Sequence, residues 1–437
     1  MTELIILCIF SSALLSCVIT NVSILYALVL GLFLFFTYGL LKKHTIIELI
    51  KMSLTGITTV KNILLTFILI GIITALWRLS GTIPFIIYYA TTICTPAGMV
   101  IITFLICCLV SFLTGTSLGS AATVGVICMT MANSMGISPI ITGGAILSGI
   151  YFGDRCSPMS TSALLISELT KTDIFKNINN MIKTSIVPFT LSCIFYFLIG
   201  MLIKTIENTS NVRIIFAECF NLHPFTILPA LIILILSLFK LNVKITMSIS
   251  IIICSVIAII YQDISITQLL NTALFGYSSN NSDLAALLNG GGILSMTKVF
   301  LIVCISSCYF GLFNGTGFLN DIKNNTTKLS KKITPFGGIL LTSIITGLIS
   351  CNQSLTIMLT KELCEDTVED KYVLASHLEN TTIVIPAIIP WSIACAVPLS
   401  TIAAPTTCIL TACYLYLLPI WNYISVLYKE RIYQKEC

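Results

Sequence analysis

Two carboxylates stand within strongly apolar sequence, and they are the residues of this chain best placed to do chemistry. Asp154 lies in the run YFGDRCSPMS at 151–160, and Glu379 lies in the run HLENTT at 377–382. An ionisable side chain at membrane depth costs roughly 3 kcal/mol on insertion scales, so a functional role is the first hypothesis. Burial favours the protonated carboxyl, whereas a bound cation favours the ionised carboxylate. A proton and a sodium ion can therefore compete for one side chain.

Oxygen-bearing side chains accompany both carboxylates. Hydroxyls, side-chain amides and unwound backbone carbonyls are the hard ligands that a small cation needs, and broken helices supply them. The candidate ion- or substrate-binding residues are Asp154, Glu379, Asn380, Ser157, Ser160, Thr116, Ser117, Asn352, Gln353 and Thr381. Two structural alternatives stay open at this point. Asp154 could form a buried ion pair with Arg155, and Glu379 could lie at a helix end near water.

The elements that must position these residues are membrane helices. Hydrophobic residues make up 56% of the 437 positions and charged residues 9%, and the mean hydropathy is +1.01; soluble domains carry about 25% charged residues. Several apolar runs approach the roughly 20 residues needed to cross a bilayer, so we expect on the order of ten to fourteen crossings, some incomplete. Because lipid offers the backbone no hydrogen-bond partners, the spans must be helices. The sequence predicts an all-α polytopic membrane protein.

A polar interruption occurs at a corresponding place in each half of the chain. The run TGTSLGS at 114–120 precedes Asp154, the run SCNQS at 350–354 precedes Glu379, and proline follows each carboxylate. Paired interruptions of this kind indicate a transporter with inverted repeats and broken, re-entrant helices at the midplane. We predict one transporter domain over 1–437, with approximate repeats at 57–206 and 224–428 and an inter-repeat loop near 205–224.

Lysines and arginines cluster in short segments between the apolar runs. The clusters are Lys42 and Lys43, then Lys171, Lys176 and Lys183, then 323–332, and the tail after 428. By the positive-inside rule these segments face the cytoplasm, and the net charge of +5 reflects topology and not nucleic-acid binding. The start Met-Thr-Glu lacks a positive n-region, so the first apolar run is expected to be retained. We predict a multi-pass protein of the cell membrane with both termini cytoplasmic.

The expected partners follow from this architecture. They are the lipid bilayer and small ions or a small organic anion, and a homodimer is left open. We expect no cofactor, no metal other than transported sodium, and no enzymatic activity. One remote alternative is an intramembrane serine hydrolase, because GTSLG at 115–119 fits the G-x-S-x-G pattern with Ser117 as nucleophile. That pattern requires a strand, a sharp turn and a helix, whereas the flanks here are apolar, and only His377 could serve as a buried base.

Four motifs give the chain a family resemblance. The runs GTSLGSAATVG at 115–125 and YFGDRCSPMS at 151–160 resemble the NhaC-type sodium/proton antiporters, and CNQ at 351–353 and LEN at 378–380, with IPW at 389–391, extend the likeness. It covers the chain from about Ile57 to the tail. The resemblance implies the ion transporter superfamily fold, with two inverted repeats, and sodium/proton exchange by alternating access. Some members of the family exchange malate for lactate with coupled ions.

The chain departs from the family pattern at three positions. Thr161 and Asn380 stand where the family commonly has aspartate, and Ser392 stands where it usually has asparagine. With two potential carboxylates missing, either fewer ions are coupled or an anionic substrate contributes its own carboxylate to the sodium site. We therefore expect sodium/proton antiport with competitive binding at buried carboxylates. The alternative is sodium- or proton-coupled exchange of a small organic acid or amino acid.

Overall fold

The computed structural model describes residues 2–20, 22–59, 61–93, 96–158, 160–203, 209–239, 241, 243–281, 284–285, 288–318, 334–350 and 352–436. Throughout these ranges the regular structure is helical, apart from one isolated bridge between Tyr277 and Gly290. The basic segment 323–332 and residues 204–208 of the predicted inter-repeat loop lie outside the described residues.

The helices of the first half precede residue 204. They are α1 (Thr2–Ile19), α2 (Ile24–Leu41), α3 (Ile46–Thr59), α4 (Lys61–Leu79), α5 (Thr82–Ile93), α6 (Pro96–Thr114), α7 (Ser117–Ser120), α8 (Val126–Ser134), α9 (Pro139–Cys156), α10 (Thr161–Thr170) and α11 (Ile174–Leu202). A π-helical turn, Ala121–Gly125, joins α7 to α8.

The helices of the second half follow residue 208. They are α12 (Thr209–Cys219), α13 (Leu228–Leu238), α14 (Val243–Tyr261), α15 (Ile266–Phe275), α16 (Thr297–Thr316), α17 (Pro335–Ser350), α18 (Gln353–Cys364), α19 (Lys371–Thr381), α20 (Ile393–Thr401) and α21 (Cys413–Glu436). Part of the segment predicted as a loop near 205–224 is therefore helical, since α12 lies within it. The division into repeats stays a prediction.

Several helices are long and apolar enough to cross a bilayer. Five segments of the described chain qualify: Ile24–Leu41, Ala97–Thr114, Ile174–Leu202, Lys244–Tyr261 and Ile293–Thr316. Two bent pairs would bring the number to seven, namely Leu64–Leu79 with Thr82–Tyr89, bent by 61°, and Lys371–Ile388 with Ile393–Thr401, bent by 54°. Shorter apolar helices, such as Pro335–Ser350, also occur in the described chain, and the expectation of roughly ten to fourteen crossings, some of them incomplete, stays a prediction.

The distribution of polar and apolar side chains on α11 is that of a membrane helix. Asn177, Ser185 and Ser192 are buried, whereas Ile186 and Leu198 are 57% and 53% exposed. In water this arrangement would be unfavourable, but in lipid the apolar face is solvated and the polar groups find partners inside the protein. The prediction of an all-α polytopic membrane protein is confirmed.

Close contact between α6 and α9 fixes the position of Asp154. Gly149 and Gly153 lie one turn apart on α9 and face α6, where a Cβ on Gly149 would come within 2.7 Å of the Phe104 carbonyl oxygen. The hydroxyl of Ser111 donates to the Ile150 carbonyl across the same contact, at 2.5 Å. Small residues let membrane helices approach closely enough for such packing. Asp154 follows directly after Gly153 and is therefore held beside the end of α6.

We predict that Gly153→Val destabilises the protein, because its side chain would overlap the backbone of Ser111 and Phe112. Overpacking of this kind costs on the order of 1–3 kcal/mol. Fluorescence-detected size-exclusion chromatography after heating should show a lower Tm than for the parent. Leu109→Val, on the exposed face of α6, is the control and should leave the Tm nearly unchanged. Equal Tm values for parent and Gly153→Val would contradict the close contact.

Candidate functional site

The first predicted interruption lies at the end of α6. Gly115 adopts φ 65°, and its N–H donates to the Ser111 carbonyl at 2.8 Å, which ends the helix at a left-handed residue. Thr116 is extended, and its Oγ1 accepts a hydrogen bond from the Gly119 N–H at 3.3 Å. The interruption is short, because Ser117 already begins α7.

The second interruption has the same local construction. Asn352 is extended, with φ −141° and ψ 132°, and its Oδ1 accepts from the Ser354 N–H at 2.9 Å. Gln353 begins α18, so the non-helical stretch predicted at 351–354 is shorter than expected, and Cys351 itself lies outside the described residues. Each interruption therefore starts a new helix from a capped, extended residue.

A third break separates α9 from α10 directly after Asp154. Ser160 caps α10, and its Oγ accepts from the N–H groups of Ser162 and Ala163 at 3.1 and 3.3 Å. The same hydroxyl donates to Asp154 Oδ1 at 3.0 Å. Ser160 thus links the start of α10 to the carboxylate at the end of α9.

The two predicted interruptions meet at Asp154. Its side chain is 2% exposed, and hydrogen-bonding groups of Ser117, Ser162 and Gln353 also act on the carboxylate. Ser162 Oγ donates to Gln353 Oε1 at 3.1 Å, and Gln353 Nε2 donates to the Ile383 carbonyl at 3.0 Å. We call Asp154, Ser117, Ser160, Ser162 and Gln353 the Asp154 site.

The Asp154 site combines a negative charge with oxygen ligands from different helices. Ser117 and Gln353 are the first residues of α7 and α18, and Ser162 is the second residue of α10. The start of α10 supports the buried carboxylate indirectly, because the Ser162 N–H donates to the Ser160 hydroxyl and that hydroxyl donates to Asp154. Hydroxyl and amide oxygens beside that carboxylate are suited to a small hard cation.

Arg155 points away from Asp154, so the structural alternative of an Asp154–Arg155 ion pair is not what the structure shows. Arg155 is fully buried, and its Nε donates to the Glu379 carbonyl at 3.1 Å. Its other acceptors are Asn380 Oδ1, Thr184 Oγ1, Ser185 Oγ, the Met181 carbonyl and the Tyr414 hydroxyl. Among the ion pairs of the described residues, none joins Arg155 to a carboxylate.

Glu379 is buried near the end of α19, with 0% of its surface exposed, and not at a helix end near water. Neither carboxylate oxygen has a hydrogen-bond partner within the described part of the chain. The charge of Arg155 and the amide of Asn177 act on this carboxylate. We call Glu379, Asn177, Arg155 and Asn380 the Glu379 site.

A cavity of about 580 Å³ reaches the Glu379 site between α11 and α19. Its lining combines polar and apolar side chains and comprises Asn180, Lys183, Thr184, Phe336, Asp370, Tyr372, Val373, Ser376, His377, Asn380, Trp421, Asn422, Ser425 and Val426. Lys183 and Asp370 are exposed, whereas Asn380 is 2% exposed and contacts Arg155. The cavity thus connects the surface with the inner polar residues.

The structure places four of the predicted site residues in positions other than the Asp154 and Glu379 sites. Thr116 caps α7 and lines a small cavity with residues of α13 and α14. Asn352 caps α18, and Thr381 Oγ1 donates to the His377 carbonyl of its own helix at 2.8 Å. Ser157 is buried in the link after α9.

Sequence reasoning missed Ser162 and Asn177. Ser162 lies two residues after Ser160, which was a predicted site residue. This proximity was the only feature of the sequence that could have indicated Ser162. Asn177 shares one face of α11 with Asn180 and Thr184, at helical spacing, and this polar stripe could have indicated it.

The geometry gives the hydrolase alternative no support. Ser117 contacts Asp154 and Tyr151, whereas His377 packs edge-on against Phe336, with ring centroids 5.1 Å apart, and lines the cavity.

Known proteins similar to this chain are transporters. A malate-2H⁺/Na⁺-lactate antiporter of Bacillus subtilis is 26% identical over 86% of this chain and 82% of its own length. The Na⁺/H⁺ antiporter NhaC of Alkalihalophilus pseudofirmus is 27% identical over 76% of this chain and 74% of its own. The arginine/ornithine antiporter ArcD of Halobacterium salinarum is 25% identical over 74% and 70%.

The sequence profile of the Na⁺/H⁺ antiporter family matches residues 149–428. This range contains Asp154, Gln353 and Glu379, and so most of both polar sites. The family is one of membrane transporters and not of enzymes. The chain belongs to the Na⁺/H⁺ antiporter family.

Proposed function

We propose that this protein is a sodium/proton antiporter in which the two ions compete for the carboxylate of Asp154. The observation that carries the proposal is the meeting of three chain breaks at one buried carboxylate, with Ser117, Ser160 and Gln353 around it. Broken helices at a carboxylate are the usual construction of an ion site in a secondary transporter. Sodium and protons are then the transported ions, and no further cofactor is required.

Competition at Asp154 couples the two ions without any covalent chemistry. A sodium ion uses the carboxylate together with hydroxyl and amide oxygens, whereas a proton uses the carboxylate alone. Either ion neutralises the charge, and a neutral site can be carried through the membrane interior more cheaply than a charged one. Alternating access then carries sodium in one direction and protons in the other.

The orientation of the protein in the cell membrane follows from its lysines. Lys171, Lys176 and Lys183 are exposed, and Lys371 Nζ donates to the Lys171 carbonyl at 3.0 Å. By the positive-inside rule this end of α11 and α19 faces the cytoplasm. The mouth of the cavity is on the same side, and both termini are proposed to be cytoplasmic. A homodimer stays a prediction.

One observation supports the second candidate function, coupled exchange of a small organic acid or amino acid. The cavity of about 580 Å³ lies within the range of roughly 300–1,000 Å³ that small-molecule sites occupy. Its inner end is formed by Asn380, which accepts a hydrogen bond from the buried Arg155. Asn380 is also one of the positions where the family commonly has aspartate, so an anionic solute would meet one negative charge fewer here.

The first test is transport by the purified protein in liposomes that contain a pH-sensitive dye. We expect an imposed sodium gradient to change the internal pH with no organic solute present. Lithium, potassium and a panel of organic acids complete the assay. A pH change that requires an organic acid would contradict simple antiport and favour the second candidate.

Asp154→Asn should reduce sodium-driven pH change to the level of empty liposomes, because the amide keeps the shape of the side chain but cannot titrate. Expression and elution on size-exclusion chromatography should stay close to those of the parent. Asp173→Asn is the matched control, since Asp173 is an exposed helix cap and asparagine caps equally well. Normal transport by a poorly folded Asp154→Asn protein would instead indicate a structural role.

Asn380→Asp separates the two candidate functions. Asn380 Oδ1 accepts from Arg155, so an aspartate there would pair with the guanidinium and add a negative charge to the inner end of the cavity. Sodium/proton exchange should stay active with a displaced pH profile, whereas transport of any organic anion should fall sharply. Asn180→Asp, which adds the same charge to the cavity wall, controls for a general charge effect. Undiminished transport of an organic anion by Asn380→Asp would exclude a role for Asn380 in anion binding.

A further inference from the structure

The two oxygens of Glu379 are the least satisfied polar atoms near the functional residues. Both are buried and have no hydrogen-bond partner in the described part of the chain. Arg155 lies close enough to act on them by charge, but its N–H groups are directed to the Glu379 carbonyl, Asn380 and other neutral oxygens. A buried carboxylate without donors is strongly disfavoured in its ionised form.

Asn177 is the neutral hydrogen-bonding side chain beside Glu379, and it is also incompletely satisfied. Its side chain is 1% exposed, and it acts on the Glu379 carboxylate. The Nδ2 of Asn177 donates to Thr172 Oγ1 at 2.8 Å, whereas its Oδ1 is buried and has no partner among the described residues. The Oδ1 of Asn177 is therefore the atom of this amide that still needs a partner, and it is an acceptor.

We propose that Glu379 and Asn177 form a proton-binding position distinct from the Asp154 site, in which protonated Glu379 donates a hydrogen bond to Asn177 Oδ1. One proton satisfies both unpartnered side chains, since the carboxylic acid gains a donor and the amide oxygen accepts it. Binding and release of this proton form and break only the O–H bond of the Glu379 carboxyl group. The inference rests on the proposed function, because it keeps the competition between sodium and a proton at Asp154 and adds a second proton-binding position at Glu379.

The supply of oxygen ligands decides which ion each site takes. The Asp154 site offers oxygens from Asp154, Ser117, Ser160, Ser162 and Gln353, whereas the Glu379 position offers oxygens from two residues. A small hard cation needs on the order of six oxygen ligands, and a proton needs one acceptor. Sodium therefore belongs at Asp154, and Glu379 binds protons only.

The charged and titratable groups around Glu379 are few. On α9 they are Arg155 and Cys156, on α11 the neutral Asn177 lies nearest, and Tyr414 of α21 contacts Arg155. Helix α17 carries no ionisable side chain. Glu168 of α10 is exposed, and Lys361 of α18 is paired with Glu365 at 2.7 Å. His377 and Tyr372 of α19 line the cavity, as do the capping residue Asp370 and the exposed Lys183 of α11. Arg155 is thus the principal charge that acts on Glu379.

The cavity gives the proton a route to Glu379. Asn180 and Thr184 line it from α11, and His377 and Asn380 line it from α19. Asn177 is one turn from Asn180, and Asn380 directly follows Glu379. Water in the cavity therefore comes within one residue of the carboxyl group and can deliver or accept its proton.

Infrared difference spectroscopy of the purified protein tests the proton position without transport. Acidification should produce a carboxylic-acid C=O band that is absent in Glu379→Gln. Asn177→Leu should shift that band to higher frequency, because the acid loses its acceptor, and Asn180→Leu is the matched control that should not. If Asn177→Leu fails to fold, Asn177→Ala removes the same acceptor without adding bulk. If Glu379→Gln removes none of the carboxylic-acid bands of the parent, or if the Asn177 variants leave the Glu379 band unshifted, the proposal is overturned.

The pH profile of exchange supplies an independent measurement. Losing one hydrogen bond to the protonated form should weaken proton binding about three- to ten-fold, which moves the profile of Asn177→Leu to lower pH by about 0.5–1 unit. The affinity for sodium, measured by calorimetry, should change less than about two-fold in Asn177→Leu and in Glu379→Gln.

A profile that moves to higher pH, or does not move, would overturn the acceptor role of Asn177. Loss of sodium binding in Glu379→Gln would show that Glu379 is a sodium ligand and overturn the division between the sites. Failure of the proposed function would look different, because the parent protein itself would then show no sodium-driven pH change while the infrared band remained.

Discussion

Burial of the Asp154 carboxylate is the constraint on which the rest of this site depends. A charge at that depth is tolerated only when hydrogen-bond donors surround it, and an unbroken helix has none to spare. The chain supplies them by stopping and restarting helices beside Asp154, so that Ser117, Ser160 and Gln353 begin or cap new helices there. The need to surround this carboxylate with donors accounts for the interruptions, for the glycine-mediated packing of α9 on α6 and for the polar cap residues.

Arg155 imposes a second constraint. It is adjacent to Asp154 in sequence, but its side chain is directed to other helices. It binds α11, α19 and α21 together through neutral oxygens, and among the residues that the structure describes neither carboxylate forms a salt bridge. An unpaired carboxylate can still gain and lose an ion, whereas one locked to a guanidinium would exchange ions poorly. In this chain Asn380 accepts from Arg155, which strengthens the contact between α9 and α19 without adding charge.

The sequence predicted the helical membrane fold and the main carboxylate, because both follow from local composition and from the cost of burying charge. It also named Gln353 as a candidate ligand, but it could not indicate that Gln353 lies beside Asp154, because in the chain Gln353 precedes Glu379. It could not predict that Arg155 turns away from Asp154, or that Thr381 bonds its own helix, because side-chain direction at a helix end depends on tertiary contacts. Asn177 was missed for the same reason, as its role exists only once α11 packs on α19. The number of crossings stays a prediction, because apolar runs do not reveal where a helix stops.

Ion competition at Asp154 can be measured most directly as proton release on sodium binding. Purified protein in weakly buffered detergent solution, with a pH indicator dye, is mixed with sodium chloride, and choline chloride is the control salt. The account predicts that sodium releases protons from the parent and from Glu379→Gln, but not from Asp154→Asn. Proton release that persists in Asp154→Asn, or sodium binding to the parent with no proton release at any pH, would contradict it.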